Sequence, residues 1–124
     1  MLGFVACKSS NNVEPANAII GKWKMTVWTM SPMPSSITQK DLDGYVDCFK
    51  NIVNEFTATK ATVTGKDCFG NSYNEQYDYT ASGGKLTDKS TGETTDFSIN
   101  GNTFTTSSYD PTDKTTTKVT YTRL

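Results

Sequence analysis

Apolar and polar residues alternate in eight short runs from residue 19 onward, and turn-forming residues separate the runs. A period of two is typical of a half-buried strand, because successive side chains point to opposite faces. In the clearest run, every second residue from Tyr73 to Tyr79 lies on one face. We therefore predict eight strands, at residues 19–28, 52–57, 61–67, 73–80, 85–91, 94–100, 103–109 and 116–124.

The connection after the first strand is the only long one. Pro32 and Pro34 each lack a backbone donor, which predicts a loop there. Thr38 and Asp41 then have the spacing of a helix capping box, so we predict a short helix at residues 39–46.

The other connections are tight turns, of which Asn100-Gly101 is the strongest hairpin signal. Thr is the most frequent residue and alternates with aromatics, which favours pleated sheet. Eight strands in a meander predict an all-β fold: an eight-stranded antiparallel up-and-down β-barrel, with a short helix in the long first loop. Closure also removes exposed sheet edges.

The composition narrows the classes of function. A chain of 124 residues has room for one domain, and 35% hydrophobic residues allow a modest core. The net charge is −1 and basic residues are scattered, so we expect no nucleic-acid partner. The chain contains no histidine, which removes the commonest general base and metal ligand. We therefore expect neither an enzyme nor a cofactor or metal site.

The N-terminal segment is apolar up to Cys7 and polar directly after it. Phe4-Val5-Ala6-Cys7 resembles a lipobox, the motif in which a small residue precedes a cysteine that receives a diacylglycerol. The resemblance implies that residues 1–7 are a signal-peptide remnant and that Cys7 is the site of lipidation.

Residues 8–18 would form a flexible tether, and residues 19–124 the barrel domain. The resemblance also implies export and lipid anchoring in the cell envelope. Lys8 differs from the usual inner-membrane retention signal, which favours the outer membrane, on a face that the sequence does not define. A frayed N-terminus with a chance cysteine is the alternative.

The cysteine count is consistent with export. Three cysteines leave one unpaired, and lipidation would occupy Cys7. Cys48 and Cys68 are then a natural disulfide pair in an oxidising compartment. Metal binding by these two residues is the alternative, which the absence of histidine and of a second cysteine pair disfavours.

Residues at both ends of the domain point to a known superfamily. The Gly21-Lys22-Trp23 segment resembles the Gly-x-Trp opening of the lipocalins. In that superfamily the tryptophan of the first strand closes one end of the barrel, and an arginine from the last strand packs across it. The resemblance gives these barrel-closing roles to Trp23 and Arg123, in the manner of small lipocalin-like lipoproteins of Gram-negative bacteria.

The resemblance implies that a small hydrophobic or amphipathic ligand binds in a monomeric barrel. Such sites are mostly apolar with a few polar groups. The candidate ligand-binding residues, which are mainly aromatic side chains expected to point inward, are Val27, Phe56, Glu75, Tyr77, Tyr79, Phe97, Phe104 and Tyr121. Glu75 would lie near the mouth or need a partner, because a buried carboxylate is costly.

The alternative is a module with a filled barrel that binds a protein or glycan through its loops. Its candidate rim residues are the tryptophan and methionines that begin the long loop, namely Trp28, Met30 and Met33. The volume of the cavity distinguishes a carrier from such a module.

Overall fold

The computed structural model describes residues 16–124, which form a closed barrel of eight antiparallel strands with one α-helix. A short 3₁₀ turn (Ala16–Ile19) precedes the barrel, and the helix α1 (Gln39–Cys48) lies between the first two strands. The strands are β1 (Gly21–Ser31), β2 (Val53–Phe56), β3 (Lys60–Lys66), β4 (Ser72–Ser82), β5 (Lys85–Asp88), β6 (Thr94–Asn100), β7 (Thr103–Asp110) and β8 (Thr115–Arg123).

Each strand pairs with the next one along the chain, and β1 pairs with β8 to close the barrel. The predicted fold class is therefore confirmed, including the helix in the first connection. The predicted signal-peptide remnant (residues 1–7) and most of the predicted tether (8–15) lie outside the described residues. Residues 16–18 were expected to be tether, but they belong to the 3₁₀ turn.

One end of the barrel is closed by the contact of the 3₁₀ turn with Trp23 and Arg123. Trp23 is fully buried, and its Nε1 donates a hydrogen bond of 2.8 Å to the carbonyl of Ile19. The guanidinium carbon of Arg123 lies 4.2 Å from the centroid of the Trp23 ring, a cation–π contact. Arg123 also donates hydrogen bonds to the carbonyls of Ala18 and Ile20.

Gly21 is required beside this contact. Its φ is +138°, a conformation that side-chain-bearing residues rarely adopt. A Cβ atom there would lie 2.7 Å from the Arg123 guanidinium. The glycine of the Gly-x-Trp segment therefore makes room for the arginine.

The half of the barrel next to Trp23 is filled by aromatic rings. Phe104 lies at the centre, with its ring centroid 5.4 Å from Trp23 and 5.9 Å from both Phe56 and Phe97. All three of these pairs meet edge to face, a preferred geometry for aromatic rings. These rings belong to the buried hydrophobic core of the described residues.

A β-bulge in β1 changes which side chains point inward. Met25 pairs with Tyr121 and Val27 pairs with Thr120, so Thr26 is an extra residue. One extra residue reverses the faces beyond it. Val27 is consequently 45% exposed on the outer wall, and the prediction that it points inward is wrong.

The opposite end of the barrel carries α1. As predicted, Thr38 caps the helix: its hydroxyl accepts from the Asp41 amide, and the Asp41 carboxylate accepts from the Thr38 amide. The helix extends two residues beyond the prediction, to Cys48. Cys48 forms a disulfide with Cys68, which confirms the predicted pairing and fastens the end of α1 to the loop between β3 and β4.

Replacing both Cys48 and Cys68 with serine is expected to lower the free energy of unfolding by about 3 kcal/mol, because the bridge closes a loop between cysteines 20 positions apart. Guanidinium denaturation followed by tryptophan fluorescence measures the change. Cys7→Ser, compared in unlipidated protein, is the matched control, since it removes a cysteine sulfur without opening the bridge. An unchanged denaturation midpoint in the double variant would contradict the expectation.

Candidate functional site

A cavity of about 180 Å³ lies at the α1 end of the barrel. Its wall is largely apolar and is built from five barrel strands, one residue after α1 and one residue just before β2. The lining residues are Met25, Phe49, Ile52, Asn54, Val63, Tyr73 and Tyr121. We call this space the mouth cavity.

The chain after α1 reaches the cavity because of Gly65 in β3. A Cβ atom on Gly65 would lie 2.5 Å from the carbonyl oxygen of Asn51 and 3.0 Å from the Cα of Ile52. The glycine thus allows this segment to approach the barrel wall, where Ile52 is buried. The Cys48–Cys68 disulfide holds the turn that directly follows α1. Phe49 lies in this turn and also lines the cavity.

Asp67 orders the loop on the other side of the mouth. Its carboxylate accepts hydrogen bonds from the amides of Phe69 and Asn71, from the Asn71 side chain and from the Tyr73 hydroxyl. The Tyr73 ring, held in this way, meets Phe49 edge to face at 6.3 Å. Burial raises the pKa of Asp67, but the hydrogen bonds outweigh it, and the pKa lies below its usual value of 3.8.

A second, smaller hollow of about 60 Å³ lies deeper in the barrel. Asn54 and Tyr121 line both spaces, so the two adjoin. The other residues around the inner hollow are Phe56, Tyr77, Leu86, Phe104 and Thr106. Together the two spaces run from the mouth to the aromatic core.

Polar groups converge on the inner hollow. The side chains of Asn54, Tyr77, Thr106 and Tyr121 border it, and none of them hydrogen-bonds to another side chain or to the backbone within residues 16–124. Burial raises the pKa of Tyr121 to about 12 and also raises that of Tyr77. Both phenols are therefore neutral at physiological pH and can donate to a ligand.

Glu75 lies at the mouth rather than in the core. It falls in the inward-facing row of β4 between Tyr73 and Tyr77, and its register partner on β3 is Val63. The side chain is nevertheless exposed. The carboxylate therefore remains solvated beside the cavity, which avoids the cost of burying it.

The predicted ligand-binding residues fall into distinct places. Tyr121 borders both spaces, whereas Phe56, Tyr77 and Phe104 border the inner hollow. The remaining four border neither space: Tyr79 and Phe97 are buried in the filled half, Glu75 is at the mouth and Val27 is outside.

Sequence reasoning did not assign several of the lining residues to the site. Tyr73 could have been found, because it shares the alternating row with Glu75 and Tyr77. Phe49, Ile52 and Asn54 gave no such signal, since their positions depend on how the chain after α1 returns to the barrel.

The predicted rim residues are half-buried. Trp28 continues the row of Trp23 after the bulge and contacts Tyr45 of α1 at 5.7 Å. Met30 and Met33 are also half-buried. These three residues do not form the exposed patch that binding through the loops would need.

Within residues 16–124, no group of three or more His, Cys, Asp or Glu side chains is arranged to hold a metal ion. The helices of this part of the chain are also too short or too polar to cross a membrane.

The fold and the cavity define the class of protein to which the chain belongs. It is a closed eight-stranded β-barrel that is filled at one end and hollow at the other. No protein-family model, curated protein or solved structure matches the chain.

Replacing Asp67 with asparagine is expected to lower the stability at neutral pH and to flatten its acid dependence. Because the folded-state pKa is lowered, the contribution of Asp67 is present above the unfolded-state pKa and is lost as the pH falls through the folded-state value. Urea denaturation between about pH 7 and pH 2 measures both effects.

Asp113→Asn, in the exposed turn between β7 and β8, is the charge-matched control for this experiment. The expectation fails if Asp67→Asn and Asp113→Asn show the same dependence on pH.

Proposed function

We propose that the protein is a lipocalin-like carrier that binds a small hydrophobic or amphipathic molecule at the open end of its barrel. The mouth cavity carries this proposal, because it is concave, largely apolar and bordered by a few polar groups. The alternative, binding of a protein or glycan through the loops, lacks an exposed patch at Trp28 and Met33.

The volume limits the size of the ligand. A cavity of about 150 Å³ is enough to hold one benzene ring, and the mouth cavity measures about 180 Å³. One ring or a short alkyl chain therefore fits, whereas a larger lipid would project into solvent. Desolvation of that apolar body would supply most of the affinity.

The inner hollow would determine orientation. Its 60 Å³ is too small for a ring but suits one polar substituent or an ordered water. Asn54 offers a donor and an acceptor there, and the hydroxyl of Tyr121 offers the same. A ligand with one hydrogen-bonding group on an apolar body matches this arrangement.

We further propose that a lipid on Cys7 anchors the barrel to the outer membrane. The support is the resemblance of Phe4-Val5-Ala6-Cys7 to a lipobox, together with the pairing of the other two cysteines in the disulfide. A disulfide is typical of proteins in oxidising compartments. The anchored carrier would then act in the cell envelope.

Val63→Phe is expected to abolish binding of 2-phenylethanol, because the larger ring occupies the mouth cavity that Val63 lines. Titration followed by ¹H–¹⁵N NMR should give saturable shifts around Ile52 and Tyr73 in the unmodified protein. Val27→Phe makes the same change on the outer wall and should bind as the unmodified protein does. Equal binding by both variants would overturn the site.

Cys7→Ser is expected to prevent incorporation of an alkyne-labelled fatty acid in the native host and to release the protein from the membrane fraction. The physical reason is that diacylglycerol is attached through the Cys7 sulfur. The unmodified chain expressed from the same locus is the control. Lipid incorporation that persists in Cys7→Ser would show that Cys7 is not the attachment site.

A further inference from the structure

The wall of the mouth cavity and the inner hollow contains no basic side chain within residues 16–124. The charged groups near the tyrosines that line the two spaces are carboxylates. Asp67 contacts Tyr73 directly, whereas the charges of Asp88 and Glu75 act on Tyr77. The charges that act on these two tyrosines are therefore negative, whereas Lys24 and Lys50 border a separate outer groove beside Met25.

Glu75 differs from the other two carboxylates because it has no hydrogen-bond or ion-pair partner among residues 16–124. Asp67 accepts four hydrogen bonds, and Asp88 accepts from the amide and hydroxyl of Ser90. The Glu75 carboxylate takes part in none of the ion pairs formed by residues 16–124. It can therefore pair with a ligand without first losing an internal contact.

Glu75 lies on β4 between residues that line the two spaces. Along β4 it stands between Tyr73, which lines the mouth cavity, and Tyr77, which lines the inner hollow. Its charge acts on both phenols and contributes to their raised pKa values, after the larger effects of the Asp67 hydrogen bond on Tyr73 and of burial on Tyr77. Glu75 itself lines neither space, so its exposed carboxylate is available to a polar group that projects from the mouth cavity.

The aromatic lining favours the same ligand charge. Phe49, Tyr73 and Tyr121 all border the mouth cavity. The faces of such rings are negative and attract cations, more strongly when water is excluded. The aromatic rings and the Glu75 carboxylate together suit a ligand that is apolar on one side and positively charged on the other.

We infer that the ligand is a small amphipathic cation, whose ring or short alkyl body fills the mouth cavity and whose protonated amine lies beside Glu75, while the inner hollow takes an ordered water instead of the polar group. This inference rests on the proposed carrier function and names the chemical class of its ligand. A carboxylate ligand, such as a fatty acid, would bring a like charge to Glu75 and would find no basic side chain in the described wall of either space to pair with.

Three ligands of similar shape but different charge test whether the site prefers a cation: 2-phenylethylamine, 2-phenylethanol and phenylacetate. Each is titrated into the full chain by ¹H–¹⁵N NMR at low salt. A solvated ion pair at about 4 Å is worth about a fivefold change in Kd. We therefore expect the amine to bind about fivefold more tightly than the alcohol, and phenylacetate to bind more weakly than both.

Glu75→Gln is expected to reduce the ratio of amine to alcohol affinity to about one. Glu55→Gln is the matched control, because it removes the same charge from a β2 residue whose side chain lies on the outer wall. It should preserve the ratio, and added salt should reduce the ratio only where Glu75 is present.

The outcomes separate the two proposals. If the alcohol binds but the amine is not preferred, or if the preference survives Glu75→Gln, the inference about the cation is wrong and the carrier proposal stands. If none of the three ligands gives saturable shifts, the carrier proposal fails and this inference fails with it.

Discussion

The contact between Trp23 and Arg123 joins the first and last strands at the point where the barrel closes. From this pair the register between β1 and β8 runs to Ser31 and Thr116. Because Arg123 also holds the carbonyls of Ala18 and Ile20, the 3₁₀ turn is fixed across the same end. The contact therefore seals one end of the barrel and leaves the opposite end as the place where a ligand can enter.

The aromatic cluster determines how far the hollow part extends. Phe104 touches rings from three other strands at the sealed end, and Tyr121 stacks on it at 5.2 Å from the open side. Beyond Tyr121 the mouth cavity begins. A barrel this short thus has room for a core and a small site, but not for the deep pocket that a long lipid would need.

The strands and the helix were predictable because their signals are local. Alternation fixes which residues share a face, and the Thr38–Asp41 capping box starts α1 at the expected residue. The bulge at Thr26 was not predictable, since no sequence feature of this segment marks an extra residue. It reversed the assignment of Val27 from the inner to the outer face.

The candidate site was predictable only in part, for a related reason. Tyr77 and Tyr121 come from regular strands, and they do border the two spaces. Phe49 and Ile52 come from the irregular segment after α1, where the disulfide and the close approach at Gly65 decide the path of the chain. Local patterns carry no information about such contacts between distant segments.

Xenon binding tests most directly whether the barrel is hollow at one end and filled at the other, because xenon enters apolar cavities of this size without needing a polar partner. Crystals pressurised with xenon are expected to show one site bounded by Met25, Val63 and Tyr121. Xenon among Phe56, Phe97 and Phe104, or no xenon within the barrel, would contradict this division.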